Sequence, residues 1–392
     1  MSEIKVNSIK GVAASSAAIT VNNTDGTATA NLTSVNDGQL GNRRININGG
    51  FQVFQRSTSA ADIGGSEGYF APDRYSQHGT GSMRYTASQS TDVPAGYGFS
   101  NSLKYDCTTA SGTVSAGHFV AIEHRIEGQD LQVFCKGTAQ AKQYTLSFHV
   151  KSPKTGIHWA ELYDNDNNRH VCKSYTISSA DTWQKISLTF PADTTGGFGN
   201  DNQASLRIFF WLMAGTDYAT NTPPTAWAAF DSDARATGQV NVFDSTSNDF
   251  FITGIQLEVG SVSTSFEHKS FTEELRRCQR YAYLATRNGD TSAVTNRPVC
   301  MAMYYDSGEI RGIIDFPVEM RAVPTLVASS VSNSFYIHRN GGADQFTDVS
   351  IWYASEKRAN IRNNNQVSGT GGQAGMINQE LGGSSLLFTA DL

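Results

Sequence analysis

Apolar and polar residues alternate with a period of two through the middle of the chain. In YTLSFHVKS, Tyr144, Leu146, Phe148 and Val150 fall on one side and Thr145, Ser147, His149 and Lys151 on the other, as a half-buried antiparallel strand requires. TWQKISLTF repeats the pattern, with Ile186, Leu188 and Phe190 inward. In SLRIFFWLM both sides are apolar: Leu206, Ile208, Phe210 and Leu212 on one, Phe209, Trp211 and Met213 on the other. That second side must meet another sheet, another subunit or a ligand. In FFITGIQLEVG the inward set Phe251, Ile255, Leu257 and Val259 reads as a closing core strand, with Gln256 and Glu258 outward. Gly, Asn, Asp and Ser clusters separate these segments and no helices alternate with them. The pattern predicts a mainly β fold built on a two-sheet sandwich or jelly roll.

Helical spacing appears in SFTEELRRCQRYAYL. Ser270 and Glu273 form a capping box, and Phe271, Leu275, Cys278 and Ala282 make one apolar stripe. Strands resume after Arg297 in VCMAMYY, EIRGIIDFPVEM, SFYIHRN, VSIWYAS and SSLLFTA, which predicts a smaller terminal β-sandwich. At the other end, IKVNSI, AAITV and ATANLTSV are β-prone but carry no core, so they order only by pairing with other chains or along a partner surface. The chain divides into an attachment arm (1–41), a jelly roll (42–268), a linking helix and connector (269–296) and a distal β unit (297–392).

Charged residues make up 17% of the chain, against ~25% in average soluble proteins, which agrees with the β reading. The net charge of −6 gives no electrostatic footprint for nucleic acid. No run of ~18 apolar residues is present and MSEIKVNSIK lacks the apolar core of a signal peptide, so neither membrane insertion nor secretion is expected. Cys107, Cys135, Cys172, Cys278 and Cys300 are widely spaced with no CxxC pair, and read as reduced core residues.

In GIHWAELYD, Trp159, Glu161 and Tyr163 share one face of a strand. Rings beside a carboxylate on an open sheet would hold a sugar, and the competing reading packs this face in the core. His118 and His124 flank Glu123, but alternation puts Glu123 on the opposite face, and His residues six apart on a strand are ~20 Å apart, too far for one ion. GxSxG, HExxH and P-loop patterns are absent, and carboxylate pairs such as Glu161 with Asp164 have no specific spacing. In the distal unit Tyr336, His338, Arg339, Trp352 and Tyr353 gather around an NGG turn in an Asn- and Gly-rich region, side chains suited to reading glycans or proteins. No cofactor is indicated, and a bound calcium ion would leave no mark on the pattern.

Several stretches together resemble bacteriophage tail fibre and receptor-binding proteins with a carbohydrate-binding-module-like jelly roll. They are NRRININGGFQVFQRSTS (42–59), YFAPDRYSQ (69–77), YTLSFHVKS (144–152), WQKISLTFP (183–191) and, most specifically, FFITGIQLEVGSVSTSFEHKSFTEELRRCQRYAY (250–283). FPVEMRAVPTL (316–326) resembles the onset of the family's distal domain, and SEIKVNSIKG is similar to virion-attachment ends. Tyr75 stands where members often have Trp. The resemblance carries no binding residue onto a position of this chain. It implies a virion fibre, assembled in host cytoplasm, that adsorbs to a host surface glycan. A tailspike-like polysaccharide depolymerase is the alternative, although no tiers of short repeats appear; a purely structural fibre or decoration protein is the third class. A parallel homotrimer is expected, because the arm has no core and the Phe209, Trp211 and Met213 side needs covering.

Overall fold

The computed structural model describes residues 41–286, 297–328, 331–379 and 385–392, with 8–9, 19–21, 24 and 28–30 ahead of them. The strands Ser8–Ile9, Ile19–Val21 and Ala28–Ala30 pair with one another. Most of the arm expected over 1–41, and the connector 287–296, lie outside the described residues.

Two six-stranded antiparallel sheets form the jelly roll. The first runs, in spatial order, Ala228–Ala229, Arg169–Ile177, Gly156–Asp164, Ala204–Ala214, Phe119–Glu127 and Tyr75–Thr80. The second runs Gln184–Phe190, Tyr144–Lys151, Asp249–Val259, Ser102–Thr109, Arg84–Ser90 and Ser59–Ile63. Between them Tyr144, Leu146, Phe148, Val150, Leu188, Phe190, Leu206, Ile208, Phe210 and Leu212 share one core, with Ile186 packed against it. The period-two readings of these three strands therefore place their inner faces correctly.

Two bulges shift the phase where strict alternation fails. A register break between Trp211 and Met213 turns Met213 into the main core beside Leu212, leaving Phe209 and Trp211 outside. A second break between Thr253 and Gln256, with Gly254 at φ +65°, puts Phe250 and Ile252 inward ahead of Ile255, Leu257 and Val259. Phe251, expected inward, instead meets the ammonium of Lys151 on the outer face, 4.5 Å from its ring centre. Gln256 and Glu258 do face outward, but both are buried beneath residues 264–267, which they bind through Thr264 and the Glu267 amide.

Ser270 caps the helix Phe271–Gln279 by accepting the Glu273 N–H at 3.2 Å. The predicted helical stripe overruns its end. Arg280 and Tyr281 are anchored on the buried Glu127 carboxylate, and Ala282–Thr286 continues as a strand paired with Leu386–Thr389; Ala282 is buried as a strand residue. Phe271 is exposed, whereas Cys278 and Tyr281 pack on Ile47 and Val53. A four-residue helix at Thr216–Ala219 has no counterpart in the sequence reading.

In the distal unit a seven-stranded sheet runs Gly342–Phe346, Phe335–Arg339, Ala374–Gln379, Arg297–Tyr304, Ile310–Asp315, Arg358–Asn363 and Ser350–Ala354. The three-stranded sheet of Ala282–Thr286, Leu386–Thr389 and Thr325–Ala328 shares its core through Leu386 and Phe388. The two edge strands of the larger sheet are joined by residues 347–349 alone. Such a link reaches about 14 Å, while seven flat strands would hold the edges about 29 Å apart. The sheet is therefore rolled.

Candidate functional site

Of the two readings of the Trp159 face, open sugar platform or packed face, the structure has the packed one. Glu161 is fully buried, Trp159 nearly so and Tyr163 partly. The covering is the chain's own segment from Gly215 to Val240. Its Thr237 carbonyl accepts the Trp159 indole N–H at 2.9 Å, its Gln239 side chain accepts the Trp159 amide at 3.0 Å, and its Phe230 ring packs against Tyr163 and His170. Phe209 and Trp211 are buried in this same cluster, with Tyr218 against it. They need no partner subunit, and the Phe209/Trp211 argument for a trimer falls.

Glu161 collects three donors. The Arg235 Nε–H donates at 2.9 Å, the Trp211 indole at 3.1 Å and His170 Nδ1–H at 3.1 Å. With Nδ1 facing a carboxylate, His170 Nε2 accepts the Asp231 amide at 3.3 Å, so both ring nitrogens are used. Burial alone would raise the Glu161 pKa, but Arg235 and His170 outweigh it and hold the carboxyl below its usual range. Cys172 lies 3.9 Å from His170 Nδ1, yet burial pushes its thiol well up, so it stays protonated and is no nucleophile. The ligand atoms of Glu161, His170 and Cys172 lie close enough for one ion, but the Arg235 guanidinium already supplies the positive charge. Asp164 projects to the opposite side and is held by the buried Lys136 ammonium, so it makes no acid/base pair with Glu161.

Glu123 is likewise fully buried, bound by Arg207 and by Arg125 at 2.9 Å. It approaches Glu67 and His78, again with two guanidinium groups opposing a cation. His124 packs against Tyr75, ring centres 4.6 Å apart and tilted, and uses both nitrogens, Nδ1 on the Arg74 carbonyl at 3.0 Å and Nε2 on the Ile47 amide at 3.4 Å. His118 precedes the strand. All five cysteines are free, and Cys107, Cys172 and Cys278 are buried.

The structure splits the distal cluster. Tyr336 and His338 alternate with the inward Phe335 and Ile337, rings 5.0 Å apart, Tyr336 buried and His338 exposed, and line an open groove of about 520 Å³ with Asp344, Gln345, Gln366 and Ser368. Arg339 belongs to the inward register with Phe335 and Ile337. Its guanidinium binds the Tyr304 hydroxyl at 2.9 Å and Asp344 at 2.9 Å. Burial acting on Asp344 is outweighed by hydrogen bonds from Tyr304, Arg339 and the Ser368 amide, which hold its pKa below the usual range. Trp352 lies on the opposite edge strand, flanked by Arg362 and Arg311 at 4.0 and 4.9 Å, and Arg311 also stacks on Tyr305 at 3.5 Å. Tyr353 is exposed beside it.

No protein-family model matches the chain, and no curated protein matches it in sequence. Among solved structures, the enzymatically active domain of bacteriophage CBA120 tailspike protein 4 is similar at 15% identity and a TM-score of 0.28, over 55% of this chain and 21% of that one. A family 11 carbohydrate-binding module from Clostridium thermocellum is similar at 12% identity and TM-score 0.26, over 53% of this chain and 99% of the module. A putative sugar-binding protein from Bacteroides thetaiotaomicron is similar at 10% identity and TM-score 0.27, over 55% of this chain and all (100%) of that protein. The chain thus spans about a fifth of the tailspike domain's length, 21%.

One feature outside the expected sites is a pocket of about 250 Å³ on the outer face of the second sheet, lined by Tyr97, His149, Lys185 and His268 among others. Alternation placed His149 on the polar face of its strand. Tyr97 comes from the loop PAGYGFS, whose position no local pattern announces.

Proposed function

We propose that the chain is a non-enzymatic receptor-binding protein, a virion fibre that adsorbs to host surface glycan through its distal unit. The observation that carries this reading is the open groove at Tyr336 and His338. It offers the exposed His338 ring for the C–H face of a sugar, with Tyr336 beside it at 9% exposure, and amide and carboxylate groups for its hydroxyls. The sequence resemblance to phage fibres points the same way.

Non-enzymatic action is supported by the state of the best-placed carboxylates. Glu161 and Glu123 are buried on arginines that lower their pKa values, the reverse of what a general acid needs. For a homotrimer, the support moves from the Phe209 face to the distal sheet. There Met301, Met303, Ile313 and Met376 stand on the outer side of neighbouring strands, 67%, 49%, 50% and 39% exposed. Three copies would bury that face.

The test is adsorption of particles, or of the purified chain on a glycan array, with Tyr336→Ala and His338→Ala together. Loss of binding with an unchanged fold is expected. Retained binding, or time-dependent shortening of host polysaccharide by the purified protein, overturns the reading. For the assembly, light scattering at micromolar concentration should give three times the 42.4 kDa chain mass, and Met303→Lys should lower it to one.

A further inference from the structure

We infer that the distal unit carries a phosphate site, separate from the groove, in which Arg311 and Arg362 hold a phosphomonoester on a sugar. The two arginines are register partners on neighbouring strands, and like charges placed directly opposite one another repel. Their side chains are only 21% and 24% exposed. Glu309 answers one of the two charges: its Oε1 accepts the Arg311 Nε–H at 2.7 Å and lies 4.0 Å from Arg362 Nη1. Further along the same strand Asp315 is taken by Arg358 at 3.0 Å. A positive charge is therefore left over. The Nη groups of both arginines have no hydrogen-bond partner among the described residues, and unlike the Arg362 Nε they are open to solvent.

The neighbouring rings narrow the ligand class. The Arg311 guanidinium packs on Tyr305 and Trp352, 3.5 and 4.9 Å from their ring centres, and Arg362 covers Trp352 at 4.0 Å. Rings against the flat faces of the guanidinium groups leave the in-plane N–H edges for a ligand. A carboxylate is planar, carries two oxygens and is matched by one such fork. Two forks side by side suit a group with three oxygens and close to two negative charges, a phosphomonoester. Tyr353, 68% exposed with its ring 5.2 Å from that of Trp352, supplies a surface for the sugar. That the phosphate belongs to a host surface glycan rests on the receptor-binding reading above; the anion site itself does not. Met303, the register partner of Arg311 on its other side, belongs to the face assigned to the trimer contact, so a carboxylate of a neighbouring copy is the competing occupant.

Ligand-observed NMR titration of the full chain with glucose-6-phosphate, inorganic phosphate and methyl glucuronoside, at fixed ionic strength, tests the site. Saturable millimolar binding of the sugar phosphate is expected, roughly tenfold tighter than that of the glucuronoside. Arg362→Lys, which keeps the charge but not the fork, should weaken the sugar phosphate roughly tenfold, and Arg311→Lys should do the same. Tyr353→Ala should remove the preference for the sugar phosphate over inorganic phosphate. The Tyr336→Ala/His338→Ala variant should bind the sugar phosphate as the parent does. Equal binding by Arg362→Lys and the parent, or no saturable binding of either phosphate, overturns the inference and leaves the groove standing. Inorganic phosphate bound by the parent as tightly as the sugar phosphate overturns the assignment to a glycan. Arg362→Gln should leave the mass in light scattering unchanged; dissociation of the assembly by that change would give the arginines to a partner's carboxylate and overturn the inference as well.

Discussion

The two outer faces of the jelly roll carry similar side chains and treat them in opposite ways. On the first sheet Trp159, Glu161, His170 and Trp211 lie under the chain's own Gly215–Val240 segment, and each polar atom of Glu161 and His170 has found a partner. On the second, Tyr97, His149 and Lys185 border an open pocket, and the buried imidazole has none among the described residues. Rings next to an ionisable group therefore do not mark a site by themselves. What separates the faces is whether the fold has already spent the hydrogen-bonding capacity of the buried polar group.

The largest expected effect that sharpens this contrast comes from Glu161→Gln. The amide keeps the shape but cannot neutralise the Arg235 guanidinium, which then lies buried without an opposing charge. A loss of about 3 kcal/mol is expected from the usual cost of breaking a buried pair, read as a lower urea midpoint at unchanged slope. A variant as stable as the parent would mean that this face is hydrated, and the comparison would collapse. Phe209→Ala, which empties a position 2% exposed in the same cluster, should cost a comparable ~3 kcal/mol. At the same site a trimer contact would make the loss depend on protein concentration; the covered face predicts that it does not.

His149→Phe should act with the opposite sign. Replacing an unpaired buried polar ring by an apolar one of similar shape is neutral or stabilising, by up to ~1 kcal/mol. Destabilisation by more than that would show His149 to be a paired structural residue.

Legibility followed the same division. Inner faces were readable wherever the pleat was uninterrupted, as in Tyr144–Lys151 and Gln184–Phe190, because burial on one side imposes period two on the sequence. Met213 and Phe251 were misplaced because a bulge adds one residue and reverses the faces beyond it, and a bulge has no composition of its own apart from Gly254. The Ser270 cap was visible since it is local chemistry. The helix end at Gln279 was not, because it is set by Glu127 and by the strand Leu386–Thr389, more than 100 residues away in each direction. Glu161 stands out in the sequence as chemically unusual but stays open between a surface and a packed face, since nothing in GIHWAELYD reveals that residues 215–240 fold over it. In the distal unit the strand order sets Trp352 on the edge strand Ser350–Ala354, five strands away from that of Tyr336, although the two are 16 positions apart in the chain.

The pH dependence of stability separates the faces by window. Folding depresses the pKa of His149 from 6.5 to about 4, so between those values the unfolded chain binds the proton and the native state does not. Stability from this residue is complete above pH 6.5 and is lost as pH falls toward 4. Glu161 is also depressed, from an ordinary value of 4.5, by Arg235 and His170 acting against burial. Its contribution is complete above pH 4.5 and is lost as pH falls below that. Buried His158, also lowered to about 4, and His124 act in the same window as His149, so the parent keeps a slope there whatever His149 does. The reading is therefore a difference. Relative to the parent, His149→Phe should flatten the stability curve between pH 6.5 and 4.5, whereas Glu161→Gln should leave that stretch parallel and flatten the curve only at lower pH. A His149→Phe curve parallel to the parent between pH 6.5 and 4.5 would mean that water in the pocket keeps the imidazole near its ordinary pKa, and the distinction between a satisfied face and an unsatisfied one would fail at that residue.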